Sequence, residues 1–229
     1  MTRRNKLLKF TENLTFPNVY ESFQYGSQEL KGPSGESMTM NGQWSKIHFK
    51  NENPITLELA CGRGEYCLGL AERYPNRNFI GVDIKGARIW KGAKTALEQG
   101  LDNVAFLRIK IEVLDLFFTA EEVDQIWITF PDPFLKDSKY NRRLTSPNFL
   151  SIYKKVLRAG NSIYLKTDSE PLYLHTKEVI EEFGHQLLMD SPDIYKEDLP
   201  HPDLDILTFY EKMHLKDKRT IQFLEFQLK

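Results

Sequence analysis

Two carboxylates and a pair of glycines carry the first chemical signal. The apolar run Ile55 to Ala60 reads as a short strand and exits through Glu58-Leu59-Ala60-Cys61-Gly62-Arg63-Gly64. Gly62 and Gly64 reach backbone angles closed to other residues and let a ligand approach the main chain. The next strand-like run, Asn78 to Asp83, ends in an acid placed where a carboxylate accepts both ribose hydroxyl protons. Alone, a G-x-G after a strand is more often a tight turn, and an Asp closing a strand is more often a helix cap. In register within one strand-helix-strand unit, the two point to a nucleoside-containing cofactor. Ala60 replaces the first glycine of the dinucleotide pattern G-x-G-x-x-G, so no pyrophosphate seat is expected and S-adenosylmethionine is favoured over NAD.

A later strand exit adds a second kind of chemistry. After Phe130 the chain reads Pro131-Asp132-Pro133-Phe134-Leu135-Lys136-Asp137-Ser138-Lys139-Tyr140-Asn141-Arg142-Arg143-Leu144. The prolines stiffen the turn, so Asp132 is expected to project over the cofactor region. Lys136, Lys139, Arg142 and Arg143, interleaved with Phe134 and Tyr140, suit phosphates and stacked bases; a solvated loop is the plainer alternative. Asp168, in Lys166-Thr167-Asp168, reaches the same rim, and Glu211 follows in Thr208-Phe209-Tyr210-Glu211. A carboxylate accepts from the N1–H and N2–H of guanine, repels the N1 lone pair of adenine, and leaves guanine N7 open.

These residues need a scaffold that gathers strand ends. Strands are expected at 55–60, 78–83, 104–109, 125–130 and 162–166, with helices at 65–73, 85–99, 146–157 and 172–183 between and after them. Near-continuous apolar strands alternating with helices predict an α/β fold with a doubly wound, mostly parallel sheet. Leu207 to Glu211 and Thr220 to Leu228 read as an antiparallel edge pair added at the C-terminal side. Residues 1–50 lack periodicity and begin with Arg3, Arg4, Lys6 and Lys9, which suggests a basic, partly ordered arm ahead of a domain spanning 51–229. The 229 residues are 41% hydrophobic with a formal charge of -1, enough for one sizeable core and no global positive field. Two cysteines, Cys61 and Cys67, fit neither a disulfide framework nor a four-ligand zinc site; no metal is expected, and a reducing cytoplasm is. No apolar run is long enough to suggest a membrane span.

The sequence resembles the tRNA (guanine-N7-)-methyltransferases that modify the variable loop. The resemblance runs from Trp44 to the C-terminus through Phe49-Lys50-Asn51-Glu52-Asn53-Pro54, Glu58…Gly62-Arg63-Gly64, Phe130-Pro131-Asp132-Pro133…Lys136…Asn141-Arg142-Arg143-Leu144-Thr145, Lys166-Thr167-Asp168 and Thr208-Phe209-Tyr210-Glu211. It implies S-adenosylmethionine contacts for Glu58, Asp83 and Asp132, and nucleoside or tRNA contacts for Lys136, Asp168 and Thr208 to Glu211. The family usually has Gly at Ala60 and Lys50, Glu at Asp83 and Trp at Phe134. Its adenine-side acid falls on Lys110, and Glu112 is expected to take that place.

The expected activity is methyl transfer to guanine N7 in tRNA. Asp132 and then Asp168 are the candidates for stabilising charge on the purine, with tRNA as partner and a monomer or homodimer as the acting form. A small-molecule or other RNA methyltransferase, and a non-catalytic RNA-binding module, remain open alternatives.

Overall fold

The computed structural model describes residues 3–22 and 24–229, with side chains along the first helix from Leu7 onward. The N-terminal portion forms helix α1 (Arg3–Asn13) and three short strands, β1 (Val19–Glu21), β2 (Leu30–Lys31) and β3 (Ser37–Met38). Then come β4 (Ile55–Leu59), α2 (Glu65–Arg73), β5 (Asn78–Asp83), α3 (Gly86–Gln99), β6 (Val104–Arg108), β7 (Gln125–Thr129), α4 (Pro147–Val156), β8 (Ser162–Thr167) and α5 (Glu170–Glu182). The chain continues through β9 (Gln186–Ser191), α6 (Phe209–Lys216) and β10 (Gln222–Gln227).

Among the described residues these strands form one sheet in the order β3-β2-β1-β6-β5-β4-β7-β8-β10-β9. The central strands β6, β5, β4, β7 and β8 are parallel, as their continuous apolar runs predict. One apolar core lies on the face covered by α4 and α5 and includes Leu57, Ile126, Phe149, Tyr153 and Val179. The other lies under α2 and α3 and includes Tyr66, Phe79, Ile89, Ala93 and Phe106. Gly64 begins α2 at a left-handed φ of 67°, and a Cβ there would sit 2.5 Å from the Phe106 ring, so both backbone angle and space demand glycine.

Two expectations change. Within the expected partly ordered arm, residues 19–49 join the sheet and the core. The strand β1 pairs in parallel with β6, and Tyr20, Leu30, Met40, Trp44 and Phe49 enter the core. Trp44 is anchored by its indole N–H, which donates to the Phe117 carbonyl at 2.9 Å. Of the basic residues expected in the arm, Lys9 lies 4.1 Å above the Trp90 ring, whereas the side chains of Arg3, Arg4 and Lys6 fall outside the described residues. At the other end, 207–211 is not a strand. Thr208 caps α6 by accepting the Glu211 N–H at 3.1 Å, and this cap overrides the β-propensity of Thr-Phe-Tyr. The antiparallel strands are instead β10, inserted beside β8, and β9 outside it.

Candidate active site

The strand order reverses between β4 and β7, and a doubly wound sheet leaves a crevice outside the strand ends at such a point. Two connected chambers occupy that position. The larger, about 600 Å³, is lined by Glu58, Gly62, Asp132, Asp168, Thr208 and Tyr210 among others. The smaller, about 400 Å³, is lined by Asp83, Lys110, Glu112, Phe134 and Arg142 among others. Ala60, Arg88, Phe130, Pro131 and Asp132 border both, so the acid of the Pro-Asp-Pro turn stands where the chambers meet. The backbone around them is bent tightly: Ala60, Phe130 and Phe134 all have positive φ, at 56°, 47° and 43°. For non-glycine residues this is a sparsely populated region that clusters at functional sites.

The acids are held in different ways. Glu58 is buried, its Oε1 accepting from the Thr129 hydroxyl at 2.8 Å and its Oε2 from the Cys67 N–H at 2.9 Å. Burial pushes its carboxyl up to about 8, while these hydrogen bonds oppose the shift. Asp83 accepts the Gly62 N–H at 2.9 Å on Oδ2 and the Lys85 N–H at 2.8 Å on Oδ1, so it joins the glycine turn to the start of α3. Each of its oxygens retains a second lone pair for a ligand. Asp168 accepts from Arg219 Nη1 at 2.7 Å, with His214 Nδ1 3.4 Å from the same oxygen. Cys61, in the turn and lining the larger chamber, and Cys67, on α2, are buried and not joined in a disulfide, and burial raises both thiols.

Several expected residues lie elsewhere. Gly64 shapes the turn by packing on Phe106 and does not line the chambers. Glu211 is fully buried, 2.8 Å from Lys166 Nζ and accepting from the Tyr195 hydroxyl at 2.7 Å, so it braces the wall behind Thr208 and Tyr210. Phe209 lies at the rim, its N–H donating to Glu65 Oε2 at 2.6 Å and its ring 4.6 Å from the Arg63 guanidinium. Lys136, Lys139 and Arg142 are exposed on the loop after β7, where they were expected, and Arg142 also borders the smaller chamber. Arg143 is only 9% exposed, and its Nε donates to the Phe134 carbonyl at 3.3 Å, so it holds the bend at Phe134.

Arg63, Arg88, His214 and Arg219 line the larger chamber without having been expected there. Arg63 lies inside the glycine turn and Arg88 soon after the β5 exit, positions that could have been examined from the sequence; His214 and Arg219 arrive through the unexpected helix. No cluster of three or more metal-binding side chains occurs among the described residues.

A doubly wound sheet with acids gathered at its switch point is built to bind a nucleoside-containing ligand, and the comparisons specify the class as methyltransferase. Residues 52–224 match a family model described as a putative methyltransferase. The solved 16S rRNA methyltransferase KamB shares the fold, with a TM-score of 0.61 at 15% identity over 85% of this chain and 96% of that one. The chain is 46% identical to the tRNA (guanine-N(7)-)-methyltransferase of Christiangramia forsetii over all of both proteins. It is 48% identical to that of Porphyromonas gingivalis over 93% of this chain and 86% of the relative. The chain belongs to the tRNA (guanine-N(7)-)-methyltransferase family.

Proposed function

We propose that the protein transfers the methyl group of S-adenosylmethionine to N7 of a guanine in the tRNA variable loop, acting in the cytoplasm. The observation that carries this reading is the pair of chambers meeting at Asp132, since a transfer reaction needs two ligands in contact at one charged point. The donor set suits the methyl source. Asp83 and Glu112 in the smaller chamber match hydroxyl and amino donors of a nucleoside, and Asp132 matches a cationic group. A Cβ built on Gly62 would meet nothing nearer than a carbonyl at 3.9 Å, so the main chain is open to close approach. S-adenosylmethionine supplies, when bound, an electrophilic methyl on a positively charged sulfur.

The chain's own residues then position and stabilise. Guanine N7 is a lone pair without a proton, so no general base is required. Asp168 accepts from the purine's Watson–Crick edge, and with Asp132 it stabilises the positive charge that methylation places on the ring. Thr208 and Tyr210 line the side on which the base enters. The exposed Lys136, Lys139 and Arg142 hold phosphates while the base is drawn out of the tRNA body. A small-molecule methyltransferase would leave this cation row without a role, and a simple RNA-binding module would leave the smaller chamber without one.

Asp132→Ala tests the reading. Single-turnover transfer from labelled donor to tRNA, followed by mass spectrometry of the product nucleoside, is expected to slow by about 100-fold or more with thermal unfolding unchanged. A near-normal rate would overturn it.

A further inference from the structure

Among the described residues, the side-chain contacts to Asp168 fall on one of its oxygens. Arg219 Nη1 donates to Oδ2 at 2.7 Å, and His214 Nδ1 lies 3.4 Å from that same atom. Neither contact uses Oδ1. The fold brings these groups together from three places. Asp168 leaves β8, His214 lies on α6, and Arg219 precedes β10, whose Gln222 stands opposite Thr167 in the β8 ladder. The turn that delivers Arg219 is itself fixed. Lys218 holds a left-handed φ of 56°, and the Arg219 N–H donates to the His214 carbonyl at 3.0 Å, closing α6. Arg219 Nη2 also lies 3.8 Å from Asp217 Oδ2, both side chains being more than half exposed, and the His214 ring centre lies 5.5 Å from that of Phe130. Asp168, His214 and Arg219 all line the larger chamber.

We propose that Arg219 is a positioning residue for guanine: it fixes the plane of the Asp168 carboxylate so that the remaining acceptor sites meet N1–H and N2–H together. This rests on the reading of the protein as a guanine-N7 methyltransferase. A carboxylate on a single rotatable side chain samples many orientations, and a two-point match to a purine edge needs one of them. An Arg–carboxylate hydrogen bond has the directionality to select it. Without Arg219, Asp168 still accepts a hydrogen bond from guanine, but it loses the paired geometry that separates guanine from a purine lacking the 2-amino group.

The test measures single-turnover methyl transfer to tRNA transcripts carrying guanosine or inosine at the target position. Inosine keeps N1–H and lacks only the 2-amino donor. The proteins compared are wild type, R219A, R219K, D168A and D168A/R219A, with thermal unfolding and calorimetric binding of S-adenosylmethionine recorded for each. The expected result for R219A is a loss of about 10- to 100-fold on guanosine tRNA, with donor affinity unchanged. Its guanosine-to-inosine rate ratio falls toward one, R219K recovers part of both, and adding R219A to D168A costs nothing further. A wild-type ratio in R219A, or losses that multiply in the double variant, would overturn the proposal; the second pattern would mark Arg219 as an independent contact. If R219A proves unfolded, R219K decides by the same ratio. A wild-type protein that methylates no tRNA guanine would overturn the functional reading itself, and this proposal with it.

Discussion

Glu58 sits in the lining of the crevice at only 2% exposure, with the Thr129 hydroxyl and the Cys67 N–H donating to its carboxyl. Burial raises it from 4.5 to about 8 in the folded protein. The raised value means that folding favours the protonated form. Its contribution is fully present below about pH 4.5 and is lost as pH rises toward 8. The unfolding free energy of the donor-free protein should therefore fall between these limits, and Glu58→Gln should flatten the decline. Denaturant melts at successive pH values check this; equal slopes in both proteins would contradict it. The place of Glu58 on the strand that leads into the glycine turn was legible in the sequence, but its burial was not. Arg143 shows the reverse: its charge suggested a phosphate contact, and only packing against Phe134 and Tyr140 shows that it braces the loop.

At the scale of elements, one buried ion pair ties β8 to α6. Lys166 Nζ lies 2.8 Å from Glu211 Oε2 and donates to the carbonyls of Leu204 and Ile206 at 2.8 and 3.3 Å. Burial draws the lysine below its ordinary value, and the Glu211 carboxylate opposes that shift. Both side chains are inaccessible to solvent, so removing one partner strands the other charge. Glu211→Gln or Lys166→Met should each destabilise by about 3–5 kcal/mol, while the double replacement Lys166→Met with Glu211→Leu should regain much of that. Urea melts of the three variants measure it, and a mild effect of either single change would show that the pair is not structural. The helix carrying Glu211 has a strand-like sequence at its start, although Thr208-x-x-Glu211 is itself a capping-box signal. The five parallel strands were legible because burial on both faces makes their sequences continuously apolar. The strands β1 to β3 were not, because two or three residues cannot show a period and their anchors are isolated aromatics.

The whole molecule has a formal charge of -1, so attraction to a polyanion must be local. Lys136, Lys139 and Arg142 on one loop, with Arg63 and Arg88 lining the larger chamber, put cations on both sides of the crevice. If about four of them meet phosphates, tRNA affinity should fall by roughly 100-fold between 50 and 200 mM salt. Filter binding or fluorescence titration across that range tests this, and a flat response would remove phosphate gripping from the account. The meeting of strand exits at one crevice was legible from the alternation of elements. The arginines were less so, because they come from separate segments that only the folded chain brings together.

The insertion of β10 between β8 and β9 also bears on how the protein is made. On the ribosome, both neighbours emerge before the strand that joins them, and the stretch from Pro192 to Ile221 must follow. At about 5–20 residues per second, β8 and β9 wait for seconds with exposed hydrogen-bonding rims. Until the late strand docks, the nascent chain is open to edge-to-edge association, and the wall bearing Asp168 is unfinished. Catalytic competence is thus deferred until β10 has been made and has docked between its two neighbours.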